Sequence, residues 1–590
     1  MISPLPPALI FIIGGLLIPL FRGRIKCAYM LALPVLAYFD LLAIGADTEM
    51  TIRVLEWKLI LVDLTPLGRL FAHIYVLITL IAVIYILHTK NDVEYVSGFV
   101  YAGSALGVVL AGDWITFFVF WELLTVGAIP LILARRTRES RAAAGRYLLV
   151  HVAGSLLLFL GILLHATDNT TLQLAPLKLG SPSSLLIFLG FGVNCAWPLL
   201  HAWLPDAYPE ATIGGAVFLA TFTTKTAVFA LARIFPGEPV LMWIGGVMVI
   251  FPIFFAITEN DLRRVLSYSL INQVGFMVVG IGIGTGLSIN GAGAHAYCHI
   301  LYKALLFMAM GAVLQQTGRI KATELGGLYK SMPFTCLCCI IGAASISAFP
   351  LFSGFVSKSM VMTAAADSGY VVVWIVLLFA SAGGLHHAGI KIPFFAFFSY
   401  DAGIRVKEAP LNMRIAMGMA AFLCVFIGIF PDLTVYRLLP NPVDFEPYSA
   451  FHVTGQLQLL LYAALAFVML TLAGLYPAEI RAVNVDADWL YRRGGPAAYR
   501  LLDRGLNGLN TVANRSVAVK LPHVMYNLLR HGPYRKLVWL MDRYWRLAGF
   551  DAGERHRRRR ELYCRVRLGT IPIGITAFIA VTVLGLLFFA

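Results

Sequence analysis

The sequence predicts an all-α polytopic membrane protein of about sixteen transmembrane helices, and three observations carry that prediction. Hydrophobic residues make up 59% of the 590 and charged residues only 13%, whereas soluble domains hold about 45–50% apolar and about 25% charged residues. The apolar residues fall in runs close to the roughly 20 residues that cross a bilayer as a helix. The +15 formal charge is concentrated in one place, because residues 480–567 hold 19 Lys and Arg against 7 Asp and Glu. In a soluble chain such an excess would suggest nucleic acid. With the rest of the chain nearly balanced, no nucleic-acid partner is expected.

The apolar runs lie near 4–21, 27–45, 67–88, 94–111, 114–134, 142–166, 182–208, 212–233, 239–257, 264–284, 289–316, 332–366, 370–399, 411–430, 455–475 and 568–590. The first runs into Phe21-Arg22-Gly23-Arg24 with no basic segment before it and no small-residue cleavage site. It therefore reads as a retained helix rather than a signal peptide. With the N-terminus outside, the cytoplasmic loops carry 36 Lys and Arg and the outer loops 6. That positive-inside bias fixes the orientation, with both termini outside and residues 480–567 cytoplasmic. This segment mixes Trp489, Tyr491, Tyr526, Trp539, Tyr544 and Trp545 with arginines. It reads as an amphipathic stretch along the membrane face, its Arg557–Arg560 run beside anionic lipid, or else as a solvated basic loop. The eight cysteines form no CxxC pair. The cluster Cys336, Cys338, Cys339 reads as small buried residues rather than a soft-metal site, and no metal or cofactor is expected.

Charges inside a bilayer are the functional clues, since each costs about 2.5–3.5 kcal/mol at a helix centre on insertion scales. The sequence places Lys225, Lys303, Lys358, Lys391 and Glu122 there. A buried lysine near a movable carboxylate is a group that can load and unload a proton. The run His295-Ala-Tyr-Cys-His299-Ile-Leu-Tyr-Lys303 puts three such groups on one helical face at i, i+4, i+8. Imidazoles titrate near neutral pH and pass protons, so a proton or ion relay is expected, over packing histidines or a metal site. Two helices look broken, one around Asn194 to Pro198 with Pro205 after it, the other around Pro350 to Lys358. Irregular backbone at membrane depth is tolerated where it lines a cavity. Two breaks at matching places suggest an internal repeat, with halves 94–233 and 239–399 in which Lys225 and Lys391 correspond. The remaining divisions are 1–93 (helices 1–3), 400–475 (helices 14–15), 480–567 (the basic segment) and 568–590 (a last helix).

At these residues the chain resembles the antiporter-like membrane subunits shared by Mrp-type Na+/H+ antiporters, their D-type component above all, and respiratory complex I. The likeness rests on Trp121-Glu122-Leu-Leu, His201-Ala-Trp-Leu-Pro-Asp206-Ala-Tyr-Pro-Glu210, Thr224-Lys225-Thr-Ala-Val, Asp261-Leu-Arg-Arg-Val-Leu-Ser-Tyr-Ser, His299 to Lys303-Ala-Leu-Leu-Phe and Gly354-Phe-Val-Ser-Lys358. These occur in order over about 60–435. The resemblance implies a fourteen-helix core with two inverted five-helix repeats, and a tail similar to the lateral-helix extension of the largest such complex I subunit. It also implies that Glu122, Lys225, His201, His295, His299, Lys303 and Lys358 belong to the translocation machinery. One position departs from the family pattern: where a lysine usually partners the glutamate, this chain has Asn194. Lys225 is then expected to swing toward Glu122 in its place, or Glu122 to be neutral at rest.

The leading functional expectation is a proton- or cation-translocating subunit of a multisubunit complex in the inner (plasma) membrane, exchanging or pumping protons, with sodium the candidate second ion and the cation itself left open by the sequence. The alternatives are a structural subunit that has lost transport in its first half, and a membrane subunit of a hydrogenase-like or carbon-uptake complex. No flavin, nicotinamide or iron–sulfur motif is visible, so a self-contained redox enzyme is not expected.

Overall fold

The computed structural model describes residues 5–45, 48–168, 171–477, 479–480, 484–567 and 573–588. It divides into two compact units, Met1–Asp488 and Trp489–Ala590. The first opens with α1 (Pro7–Leu17), α2 (Gly23–Ala43), the hairpin β1 (Glu49–Val54) and β2 (Trp57–Asp63), and α3 (Pro66–Ile86). The first half then runs α4 (Asp92–Leu110), α5 (Trp114–Leu133), α6 (Arg138–Asp168), α7 (Pro182–Asn194), α8 (Trp203–Ala207), α9 (Ile213–Thr221) and α10 (Thr223–Ile234). The second runs α11 (Val240–Thr258), α12 (Leu262–Ile283), α13 (Gly286–Thr317), α14 (Pro333–Ile346), α15 (Ser353–Asp367), α16 (Val371–Gly384) and the single turn α17 (Lys391–Pro393), flanked by π-helical Leu385–Ile390 and Phe394–Phe398. Helices α18 (Leu411–Ile429) and α19 (Ala450–Leu472) complete the unit.

Among the described residues, twelve helices are long and apolar enough to cross a membrane. Shorter apolar helices lie at Pro7–Leu20, Pro182–Asn194 and Pro333–Ile346. These helices leave the expected count of sixteen spans unconfirmed among the described residues. Two of the apolar runs are divided, 182–208 into α7 and α8 and 332–366 into α14 and α15. The hairpin is a further departure from an all-helical chain. Its strands pair antiparallel from Glu49↔Asp63 to Val54↔Trp57, and the Ile60 N–H donates to Asp113 at 2.6 Å, seating it on the start of α5.

Local chemistry sets the helix ends. Ser181 and Ser184 form a reciprocal capping box with Pro182 as the first helical residue of α7. Asp113, Asp261 and Thr285 cap α5, α12 and α13 through their side-chain oxygens. Gly284 closes α12 at φ +76°, where a Cβ would run into the Gly237 Cα, so only glycine fits.

The repeat is written in the backbone. Ala196-Trp-Pro-Leu199 and Ala348-Phe-Pro-Leu351 each turn with two non-glycine residues at positive φ, 58° and 69° in one, 57° and 74° in the other. Their hydrogen bonds match as well: Trp197 N–H to Gly192 O at 3.1 Å, Phe349 N–H to Ala344 O at 3.0 Å. The Asp113↔Gln173 bridge likewise has its counterpart in Asp261↔Lys321. Such conformations cost of order 1–3 kcal/mol each, so their pairwise recurrence reflects one architecture used twice. Helices α9, α10, α12 and α13 form the buried centre, and α2 and α19 lie at the periphery.

The second unit is helical: α20 (Asp488–Ala513) passes through a π-helical stretch, Asn514–Lys520, into α21 (Leu521–Leu547), followed by α22 (Ala552–Arg567) and α23 (Ile573–Phe588). At 1.5 Å per residue the unbroken run 488–547 has a contour of about 90 Å. On α20, Tyr491, Leu502, Leu506 and Leu509 share one face, and Arg500, Arg504 and Asn507 lie on the other. The expected last helix, 568–590, falls partly outside the described residues.

Candidate functional site

The helix α13 delivers His295, His299 and Lys303 to the buried centre, all 0% exposed. The His295 and His299 rings lie 6.1 Å apart, near the spacing that one helical repeat of four residues dictates. Around them runs a row of polar contacts. The Lys303 Nζ donates to Ser269 Oγ at 2.9 Å and Leu266 O at 3.2 Å on α12. One turn along α12, Gln273 accepts from the Tyr302 hydroxyl at 3.3 Å and donates to Asn272 at 2.5 Å. Tyr302 also meets His295 Nε2 at 3.4 Å, and the other His295 ring nitrogen meets Ser357 Oγ at 3.0 Å.

Ser357 stands next to Lys358 on α15, just past the second break. The Lys358 Nζ donates to Ile346 O at 2.7 Å, the carbonyl that the break frees at the end of α14. The same ammonium lies 4.9 Å from the centre of the Phe276 ring. A Cβ built on Gly384 would come within 4 Å of Lys358 Nζ, Gln273 Nε2 and Asn272 Oδ1 together. The polar ends of α12 and α15 therefore converge on one bare glycine. From Lys358 a cavity of about 660 Å³ extends along α15, lined by Thr363, Trp374, His452, Gln456 and Tyr462 among others. Both ring nitrogens of His299 are buried with no protein partner among the described residues, the situation in which buried polar groups bind water.

The structure thus brings four of the sequence-predicted residues, His295, His299, Lys303 and Lys358, into one neighbourhood. Lys225 lies within electrostatic reach of His295, His299 and Lys303 without bonding to them, and the remaining predicted residues are placed apart. Lys225 donates to Ala220 O at 2.6 Å and Thr224 Oγ1 at 3.2 Å, across the discontinuity between α9 and α10, with Cys195 facing it. Asn194 is buried beside that cysteine, its amide without a partner among the described residues. Glu122 is half-buried on α5 and faces Ser155 of α6; no ion pair joins it to Lys225 among the described residues. His201 pairs with Asp486, the two lying 3.1 Å apart. Lys391 is an ion-pair partner of Glu479 at 2.7 Å, at the end of the second half defined by the α11 C-terminus. Among the described residues no group of three or more His, Cys, Asp or Glu could hold a metal.

Sequence reasoning missed five residues. Ser357 joins His295 to α15, the helix that carries Lys358 as its next residue. Glu94, 2% exposed, accepts from Thr212 Oγ1 at 2.5 Å and Gly215 N at 3.1 Å, capping α9. Arg263, 1% exposed, donates to the carbonyls of Tyr208, Ala211 and Thr212, tying the start of α12 to the loop between α8 and α9 in the first half. Glu479 and Asp486 lie outside the bilayer spans, between α19 and α20. Burial pushes the Glu479 carboxyl up, against the pull of Lys391. Burial also acts to raise Asp486, but hydrogen bonds from His201, Tyr268 and the Ala487 N–H outweigh it and hold Asp486 below the usual carboxylate range. The sequence signal for this pair is faint: Glu479 and Asp486 are acidic residues at the edge of a strongly basic segment.

Residues 111–383 match the family model described as "NADH:quinone oxidoreductase/Mrp antiporter, TM". Among curated proteins, the chain is 26% identical to hydrogenase-4 component B of Escherichia coli over 68% of this chain and 66% of that one. It is 30% identical to a subunit of the Na(+)/H(+) antiporter of Bacillus subtilis over 64% of this chain and 53% of that one. It therefore spans about two thirds or less of the length of these relatives. Among solved structures, a chain of the archaeal membrane-bound sulfane sulfur reductase superposes with a TM-score of 0.70 at 23% identity, covering 89% of this chain and 99% of that chain. A chain of the Mrp complex from Dietzia superposes at 0.65 with 19% identity, covering 77% of this chain and 98% of that chain. At these identities the superpositions establish the fold.

Proposed function

We infer, from the premise that residues 111–383 belong to the NADH:quinone oxidoreductase/Mrp antiporter membrane family, that this polytopic membrane subunit translocates protons in exchange with a cation. The observation that carries the reading is a buried polar set between α12, α13 and α15: Gln273, Tyr302, His295 and Ser357 are in contact, with Lys303 held on Ser269 one turn along α12 and Lys358 next to Ser357 on α15. Charged groups buried so deeply are retained at a cost unless they act. A proton handed between the two lysines would use the Tyr302–His295–Ser357 contacts, with water bridging the steps from Ser269 to Gln273 and from Ser357 to Lys358. The cavity at Lys358 gives that end room for a proton carrier to approach.

The machinery is that of the D-type antiporter component, with the second half as the conducting part. In the first half the Glu122 carboxyl and the Lys225 ammonium are not in contact, so a charge switch there requires Lys225 to leave its seat at the α9–α10 discontinuity. Partners are other membrane subunits of a hetero-oligomeric complex. The membrane is the inner (plasma) membrane, with the N-terminus outside and the basic run 480–567 on the cytoplasmic face, along a neighbouring subunit or anionic lipid. The alternative is a membrane subunit of a hydrogenase-like complex, supported by the similarity to hydrogenase-4 component B, with transport lost in the first half, which Asn194 favours.

Lys303→Ala and Lys358→Ala, each in the assembled complex reconstituted in proteoliposomes, are expected to abolish ion transport at normal abundance. Wild-type rates in both would overturn the assignment.

A further inference from the structure

The connector between α19 and α20 is where the structure says something the transport row does not. The Lys391 ammonium has three protons to donate, and three acceptors surround it: Ile257 O at 2.6 Å, Glu259 O at 2.7 Å and Glu479 Oε1 at 2.7 Å. Two of these are carbonyls at the C-terminal end of α11, where the helix dipole places negative charge. The third comes from the connector, seven residues beyond α19. Both partners are buried, the lysine side chain 0% exposed and the glutamate 7%. Lys391 itself sits between two π-helical stretches, an irregularity frequent at functional positions.

A few residues on, the connector is held a second time. Asp486 accepts from the Tyr268 hydroxyl at 2.7 Å and meets His201 Nε2 at 3.1 Å. His201 follows the break after α7 and so belongs to the first half. Tyr268 is on α12, in the second. Between the two holds, the Asn484 amide reaches Glu259 Oε2 at 3.4 Å and Thr258 Oγ1 at 3.3 Å. The same stretch of chain therefore closes on Lys391 in one half and on His201 in the other. Asp488, two residues past Asp486, begins the long basic helix.

We propose that Glu479 and Asp486 form a two-point acidic clasp, in which Glu479 positions the charge of Lys391 and Asp486 anchors the connector to His201, so that the two halves are coupled through this one strand of chain. The clasp gives Lys391 a carboxylate partner in the second half, where its first-half counterpart, Lys225, has none among the described residues. It makes Glu479 a positioning residue rather than a member of the relay. The consequence for transport rests on the relay reading above; the coupling itself does not. Other charged or titratable groups facing the Glu479–Lys391 pair are Glu259 at the α11–α12 junction, itself paired with Arg264, His386 in the π turn and Tyr476 in the connector.

The test is hydrogen–deuterium exchange on the assembled complex, combined with the pH profile of transport. Glu479→Gln is expected to raise deuterium uptake about tenfold both at 385–393 and at 484–487, and Asp486→Asn to do the same at both places, because the segments open as one unit. Glu479→Asp, which keeps the charge, is expected to restore protection at both places. The pH profile of transport should move in Glu479→Gln and stay in place in Glu479→Asp. Uptake that rises only beside the altered residue would overturn the coupling. Equal behaviour of Glu479→Gln and Glu479→Asp, in exchange or in pH profile, would overturn the positioning role. If Lys303→Ala transports normally, the relay fails, and the exchange result still judges the clasp.

Discussion

Ser357→Ala removes one oxygen atom from the row and leaves every charged group in place. Ser357 Oγ is 3.0 Å from His295 and joins the α13 histidines to the helix that carries Lys358. The residue is fully buried, and its hydroxyl also meets the Cys298 thiol and makes long 3.4 Å contacts to Ser353 O and Gly354 O within its own helix. A hydrogen bond of this kind contributes about 0.5–1.5 kcal/mol net. If it must form in the transfer step, its loss raises the barrier by that amount, which slows transport about two- to tenfold. The assay is the initial rate of proton flux, by a pH-sensitive dye, in proteoliposomes holding equal amounts of assembled complex. Ser357→Thr keeps the hydroxyl and is expected to run near the wild-type rate. A Ser357→Ala rate equal to wild type, or a Ser357→Thr rate as slow as Ser357→Ala, would refute the bridge.

Three further outcomes are expected. Arg263→Met strips three buried carbonyls of their charged donor; at about 1.5–3 kcal/mol for a hydrogen bond to a charged group, thermal unfolding of the complex should drop by several degrees, and an unchanged midpoint would contradict the tie between halves. Asp486 has its folded value depressed, so its contribution to stability is present above the ordinary carboxylate value, roughly pH 4, and lost as pH falls through the lower folded value; Asp486→Asn should flatten that acid limb in unfolding midpoints measured against pH. Protease added from the cytoplasmic side of sealed vesicles should cut within 480–567, and cutting only from the outer side would reverse the proposed orientation.

How much of this is legible in the sequence follows from what a sequence encodes locally. The i, i+4, i+8 spacing alone puts His295, His299 and Lys303 on one face, and the prolines mark both interrupted helices. The pairing of those breaks is legible only as a suggestion. The matched positive φ at Ala196, Leu199, Ala348 and Leu351 is a backbone property that no side chain there announces. Hydropathy counts runs, so it merges α14 with α15 and misses the 49–63 hairpin, whose strands are too short and mixed to stand out. Ser357, Glu94 and Arg263 act across helices distant in sequence, and their partners appear only when the bundle is assembled. The apolar surroundings of Lys391 point to a member of the relay, whereas its paired carboxylate, Glu479, lies 88 residues away beyond two helices. Sequence order makes Lys225 a neighbour of Glu122; the break at Phe222 turns its ammonium toward Cys195 instead.

The central claim is that the second half conducts, and proton flux driven by an imposed pH gradient tests it most directly. Proteoliposomes holding the wild-type complex, the Glu122→Ala/Lys225→Ala double variant and the Lys303→Ala variant would be compared at equal abundance. The account predicts that the first-half double variant retains a measurable flux and that Lys303→Ala has none. Flux that survives Lys303→Ala and vanishes in the first-half double variant would contradict it.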